Sequence, residues 1–295
     1  MQNSAGQRAT DRVKRPVSLP NLIIIGAMKA GTTSMHAYLN QHPQIYMSRE
    51  KELNFFVEER NWHKGVDWYA AFFEQKDARF RGESSPSYST FPLYQGVPER
   101  MYRLLPEAKL IYMLRDPLDR IVSHYVHRLA NGTENRPLSE AVTDPQDNIY
   151  IYRSRYYSQL QRYLEYYPED SILLITLEDL SLEPTRTLQA CFSFLGLEMG
   201  PIGTRLIHVL HSSKRKRRKT PLGYALARTS LMQKTEILPY AIRSNVERLL
   251  FYPFSHSVKK PVLSPALKDR LVGRLQADID QLRKLTGLKF LHWSL

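Results

Sequence analysis

The chain is expected to fold as one α/β domain with a mostly parallel central sheet flanked by helices, three layers in all. Three observations lead there: short apolar, β-branched runs recur along the sequence, helical patterns follow them, and turn residues stand at the joins. "NLIIIG" (21–26) is apolar without alternation, as suits a strand buried on both faces. Thr32 or Thr33 then offers an N-cap, and a helix should run to about Asn40 before His42 and Pro43 stop it. "ARFRGESSPSYS" (78–89) predicts a strand ending near Glu83 and a turn at Ser85 and Pro86. "AKLIYMLRDP" (108–117) is a second buried strand, broken at Asp116, and Pro117 suits the first turn of the helix "LDRIVSHYVHRLA". "SILLITLEDL" (171–180) is a third strand, and "PTRTLQACFSFLGL" (184–197) the helix after it.

Two stretches interrupt this alternation. Residues 131–148 are polar and turn-rich, a loop placed to cover a site, and 214–219 are six consecutive basic residues. Near the C-terminus Leu267, Leu271, Leu275, Ile279, Leu282 and Leu285 recur at helical spacing, a face expected to dock on the domain. The tyrosine-rich stretch 155–168 has the spacing of a half-buried helix, so its rings read as core. No repeat or sharp boundary divides the chain, so residues 1–19 are expected to be a polar tail and 20–295 a single domain.

The balance of 42 Lys+Arg against 29 Asp+Glu gives a formal charge of +13 over 295 residues, which favours anionic partners. The single cysteine, Cys191, excludes an intrachain disulfide framework and reads as a small buried hydrophobe. The N-terminus has no hydrophobic signal core and no segment approaches the length of a membrane span, so a soluble, cytoplasmic protein is the expectation.

Ligands of open α/β sheets collect at the carboxyl ends of strands, where two segments carry polar groups. Residues 26–34 have the glycine spacing of a phosphate-binding loop, Gly26 and Gly31 leading into a helix N-terminus. The position after Gly31 is Thr32, however, and the lysine lies inside the loop, at Lys29. The second segment, "RDPLDRIVSHY" (115–125), sets Arg115 at a strand end and Ser123 two helical turns on, able to converge on one phosphate. Alternatively, Arg115 and Asp116 form a local ion pair. Two anion sites on neighbouring strand ends suit a ligand with phosphates at both ends better than a linear triphosphate, which also calls for a Mg²⁺ carboxylate.

"IIIGAMKAGTTS", "KELNFF" (51–56), "GESSPSYS" (82–89) and "RDPLDRIVSHY" together resemble the motifs of sulfotransferases that use 3′-phosphoadenosine 5′-phosphosulfate (PAPS), in the heparan-sulfate-type and bacterial branch. "DIDQLRKLTGLKFLHW" is similar to that branch's C-terminal helix. The resemblance implies a P-loop-like sandwich and transfer of a sulfuryl group to an acceptor hydroxyl, or amine, without a metal. It implies that Lys29, Ala30, Gly31, Thr32, Thr33 and Ser34 hold the 5′-phosphosulfate, with Lys29 stabilising the leaving phosphate. Arg115 and Ser123 would bind the 3′-phosphate, and Glu52 would be the general base. His124 and His127 follow Ser123 but do not match the histidine-base motif of the cytosolic branch, and read as structural or acceptor-contacting.

One departure stands out. Heparan-type members often read Glu-Lys-[Ser/Thr]-Pro where this chain has Glu83, Ser84, Ser85 and Pro86, so their second cofactor-proximal lysine is missing. The basic run reads as a solvated charge run or a nucleic-acid contact. By the resemblance, it is instead a segment closing over the nucleotide, which assigns Lys214, Arg215, Lys216, Arg217 and Arg218 to the cofactor. The basic balance is compatible with an acidic glycan as the hydroxyl-bearing acceptor, and a glycolipid or small alcohol would leave the same cofactor motifs; nucleic acid is not expected as a partner. An ATP-dependent small-molecule kinase, or a basic adaptor for nucleic acid or membranes, is the competing reading.

Overall fold

The computed structural model describes residues 18–73, 77–144, 148–199, 217–220 and 253–295. The expected sheet is there: β1 (Leu22–Gly26), β3 (Phe80–Ser84), β4 (Lys109–Leu114) and β5 (Ile172–Thr176) pair in parallel, joined at one edge by a short strand, β2 (Ile45–Met47), which the sequence pattern did not announce. Three residues are too few for periodicity to register. The spatial order is β2-β3-β1-β4-β5. β1 is therefore flanked by β3 on one side and β4 on the other, and the carboxyl ends of these three strands converge at the crevice where such sheets bind ligands. All five residues of β1 are buried, as an unbroken apolar run between two helical layers requires.

Helices α1 (Thr32–Leu39), α2 (Gly65–Ala70), α3 (Val97–Leu104), α4 (Pro117–Ala130), α5 (Leu138–Ala141), α6 (Ile149–Tyr152), α7 (Tyr156–Leu164), α8 (Leu177–Leu182), α9 (Pro184–Phe194) and α10 (Pro265–Thr286) surround the sheet. The stretch read as running on in β5 turns helical at Leu177, because the Thr176 side chain accepts the Asp179 amide at 3.0 Å and caps α8. Tyr156, Tyr163 and Tyr167 are buried in the core, as the tyrosine spacing implied. Cys191 is buried on α9, and burial pushes its thiol up to about 12, which makes it inert.

Five of the six residues of the C-terminal stripe are buried; Leu285 is 36% exposed because α10 ends there, one turn past its last contact. Leu271 and Leu275 pack with Ile121 and Val122 of α4 and with Leu138, Val142, Tyr150 and Ile151, while Ile279 and Leu282 join the main core. Asp278 of α10 accepts the Tyr157 and Ser158 amides at 2.9 Å each and so caps α7. Residues 131–144 are more than a covering loop: Leu138, Ala141 and Val142 are buried against α4. No helix among the described residues is long and apolar enough to cross a membrane.

Candidate active site

The 26–34 loop turns sharply between β1 and α1, and two glycines make that possible. A Cβ on Gly26 would lie 1.8 Å from the Ser89 Oγ, and one on Gly31, at φ 89°, would lie 2.7 Å from the Leu177 side chain. Lys29 itself holds a left-handed φ of 73°. The helix is capped differently from expectation: Gly31, not a threonine, is the N-cap, and no side chain caps the helix. Thr32 is the first helical residue, so its hydroxyl is left for other work, and the first-turn amides face the crevice. Thr32, Ser34 and Ala30 are buried, whereas Thr33 is exposed.

The second segment meets the first directly. Pairing of β1 with β4 sets Gly26 opposite Tyr112, and the Ala27 amide donates to the Met113 carbonyl at 2.6 Å. Arg115, half-buried, donates to the Lys29 carbonyl at 3.4 Å, so guanidinium and loop are in contact. Its ionic partner is Asp119, at 3.4 Å, and not Asp116. Asp116 is otherwise engaged: it caps α4 by accepting the Asp119 amide at 2.8 Å, and accepts both the Ser294 amide and hydroxyl, at 2.5 and 2.7 Å. The Trp293 indole donates to Glu178 at 3.2 Å, and Glu178 accepts the Asp116 amide at 3.1 Å. The C-terminal residues thus fasten the start of α4. Ser123, two turns along, is 2% exposed, and its Oγ has no hydrogen-bond partner among the described residues. A buried hydroxyl without a partner is costly, and an anion oxygen at that place would satisfy it.

Glu52 stands at the mouth of the loop. Its side chain is 53% exposed and lies 3.5 Å from the Lys51 ammonium. Its backbone is held tightly: φ is 65°, and its amide donates to the Ser84 carbonyl at 2.9 Å. Below it, the fully buried Glu83 carboxylate accepts from Tyr69, Ser85 and Tyr88 at 2.8, 2.6 and 2.5 Å, and Ser85 in turn accepts the Asn54 amide at 3.0 Å. Burial raises Glu83 above the ordinary carboxylate range, against the pull of its three hydroxyl donors. The network anchors residues 52–54 to the end of β3, and the aromatic pair after them, Phe55 and Phe56, is buried.

Lys51 and Glu52 form an ion pair, but Lys51 is not on the surface. Its side chain is 21% exposed, and its ammonium donates to the Thr32 Oγ1 at 3.3 Å. One ammonium therefore touches both the carboxylate and the first residue of α1. Sequence reasoning missed this, since only β3 pairing brings residue 51 back to the loop.

Two buried arginines support the loop from behind. Arg120 donates to the Ser154 hydroxyl at 2.6 Å and to the Met28 carbonyl at 3.4 Å; Arg153 donates to the Thr90 hydroxyl at 3.1 Å and to the Met28 sulfur. Neither has a carboxylate partner among the described residues, and burial lowers them to about 10 and about 9. Two buried guanidiniums thus stand behind the loop. His124 packs against the Tyr150 ring, and burial and nearby arginines hold it neutral.

His36 of α1 is likewise pulled down to about 4, by burial first and then by Lys51. The folded state binds fewer protons there than the unfolded chain. Its contribution to stability is complete above pH 6.5 and is lost as pH falls toward 4. That interval corresponds to about 3 kcal/mol. The melting temperature should therefore drop between pH 7.5 and 5, and by less in His36→Gln; equal drops would contradict it.

Of the basic run, Lys214, Arg215 and Lys216 lie outside the described residues. Arg217–Lys219 forms a strand, β6, antiparallel to β7 (Ser255–Ser257). This ribbon lies against α4, the helix that carries Ser123. Arg217 donates to the Ser255 hydroxyl at 2.9 Å, a tie within the ribbon, and Arg218 donates to the Asn135 side chain.

The chain matches the family model described as "Sulfotransferase domain" over residues 19–237. It is 33% identical over 198 residues to the human bifunctional heparan sulfate N-deacetylase/N-sulfotransferase 2, covering 61% of this chain and 22% of that protein. It is 40% identical over 111 residues to the membrane-associated sulfotransferase kil1 of Dictyostelium discoideum, 36% of this chain and 22% of that one. The chain thus spans about a fifth of the length of these curated relatives. A sulfotransferase crystal structure from Alicyclobacillus acidocaldarius has the same fold, with a TM-score of 0.64 at 24% identity over 95% of this chain and 98% of the other.

Proposed function

Because the chain belongs to the sulfotransferase domain family, we propose that it moves the sulfuryl group of PAPS to a hydroxyl, or an amine, of a glycan, glycolipid or small molecule. The observation that carries the reading is the contact between two anion-reading segments on adjacent parallel strands: Arg115 donates to the Lys29 carbonyl. The residues present fit a nucleotide with phosphate at both ends. The glycines let the loop pack tightly on Ser89 and Leu177, the α1 amides and Lys29 suit the 5′-phosphosulfate, and the unpartnered Ser123 hydroxyl with Arg115 suits the 3′-phosphate. The ribbon bearing Arg217 and Arg218 lies against α4, the helix that carries Ser123, and the cofactor role expected of Lys214, Arg215 and Lys216 falls outside the described residues. Bound there, the nucleotide supplies an activated sulfuryl group.

The chain's residues do the rest. Glu52 takes the proton from the acceptor oxygen or nitrogen as that atom attacks sulfur. The S–O bond to the phosphate breaks, and Lys29 stabilises the electron pair left on the phosphate oxygen. Arg115 and Ser123 contribute binding that is the same before and after transfer. The charge of +13 supports an acidic glycan as acceptor, and the cytoplasm is the proposed location on sequence grounds.

Calorimetric titration with adenosine 3′,5′-bisphosphate in metal-free buffer, with ATP as comparator, tests the reading. The bisphosphate should bind more tightly than ATP. Arg115→Ala should weaken it about tenfold or more, the worth of a charge-assisted phosphate contact. Tighter binding of ATP than of the bisphosphate, in this buffer or in a parallel titration with Mg²⁺ added, would return the reading to a kinase.

A further inference from the structure

We propose that Lys51 is a second catalytic cation of this site, its ammonium contacting the nonbridging oxygens of the phosphosulfate beside Lys29. The inference rests on the sulfuryl-transfer reading and names a residue that reading does not use. Three observations carry it. The Lys51 Nζ is 3.3 Å from the Thr32 Oγ1, at the helix N-terminus where the phosphosulfate would lie. The side chain is four-fifths covered, far more than a lysine engaged only in a surface pair needs to be. No lysine comes from the neighbouring strand end, where residue 84 is a serine that is fully buried.

The surroundings of Lys51 are unfavourable to its charge in the absence of an anion. Burial pulls the ammonium below the ordinary lysine value; Glu52 and Glu83 oppose this, and Lys29 adds to it. From α1, His36 faces the same ammonium and is itself held neutral by it in part. An entering dianion reverses the balance by favouring the charged lysine. In the transfer step, the acceptor oxygen forms its bond to sulfur while the sulfur–oxygen bond to phosphate breaks. The electron pair leaves on the phosphate oxygen and the acceptor proton goes to Glu52. Lys51 and Lys29 then share the negative charge that develops on the leaving phosphate. By releasing Glu52 to move onto the phosphosulfate, Lys51 also frees the carboxylate to accept the proton.

The test is calorimetry with adenosine 3′,5′-bisphosphate and with PAPS, at about pH 9, in two buffers of different ionisation enthalpy, on wild type, Lys51→Met and Lys51→Arg. Wild type should take up a fraction of a proton on binding. Lys51→Met should bind about tenfold or more weakly and take up measurably less. Lys51→Arg, which keeps a charge without a titration in this range, should restore affinity to within about threefold while still lacking the uptake. Met preserves the buried stem, and the arginine variant provides a folded control. Lys51→Met with wild-type affinity and wild-type proton uptake overturns the inference alone. Wild type that binds neither nucleotide overturns the sulfuryl-transfer reading and this inference with it.

Discussion

Lys29→Ala is expected to abolish sulfuryl transfer while leaving a folded protein that still binds adenosine 3′,5′-bisphosphate. The lysine sits in a loop whose shape is set by Gly26 and Gly31, not by its own side chain, so removing the ammonium leaves the turn intact. What is lost is charge stabilisation where negative charge develops on the leaving phosphate. Removal of one such group in a water-excluded site costs roughly a hundred- to a thousandfold in rate. The effect belongs in kcat, because the proposed 3′-phosphate contacts of Arg115 and Ser123 would hold the nucleotide in ground and transition states alike. Single-turnover transfer of labelled sulfuryl from PAPS to hydroxyl- and amine-bearing glycans measures it. A wild-type rate for Lys29→Ala would sink the mechanism. Lys29 also holds φ at 73°, where alanine is somewhat strained, so Lys29→Gly serves as the control for backbone effects.

Glu52→Gln should likewise remove transfer and spare cofactor binding. The carboxylate is half-exposed at the loop mouth, within reach of an acceptor entering from solvent, and its backbone is pinned to β3 by the Ser84 carbonyl. Glutamine keeps the shape and the hydrogen bonding but has no basic lone pair for the acceptor proton, and loss of general-base catalysis costs about a hundred- to ten-thousandfold. The loss should shrink with acceptors whose hydroxyl is already acidic, since they need less help from a base. A uniform loss across acceptors of different acidity would instead make Glu52 an acceptor-binding group. Glu83→Gln is the informative companion. It lies in the buried network beneath residues 52–54 and should lower transfer through displaced geometry, accompanied by a fall in melting temperature that Glu52→Gln does not show.

Much of the frame was legible because its signals are local. β1, β3, β4 and β5 are buried runs bounded by turn residues, and the leucine stripe of α10 repeats at helical spacing over about five turns. Gly26, Lys29 and Gly31 could be read as an anion loop from spacing alone, since the backbone conformations they permit are properties of a few consecutive residues. β2 escaped notice because three residues carry no period, and the cap of α1 was misassigned because Thr32 has the right side chain one position too late.

The sequence by itself determined the α/β layering, the glycine turn and the chemical kinds of group at the site: an ammonium, a guanidinium, a hydroxyl and a carboxylate. The tertiary structure decided which of them meet. Arg115 reaches the Lys29 carbonyl only because β4 pairs with β1, and Asp116 is held away from Arg115 by a C-terminal serine 178 residues on. Lys51 arrives at Thr32 because the end of β3 pins the segment that follows α1 and β2. Such contacts depend on strand order and on distant chain segments returning to one crevice. No local propensity encodes them, because the free energy that selects them comes from burying the whole sheet.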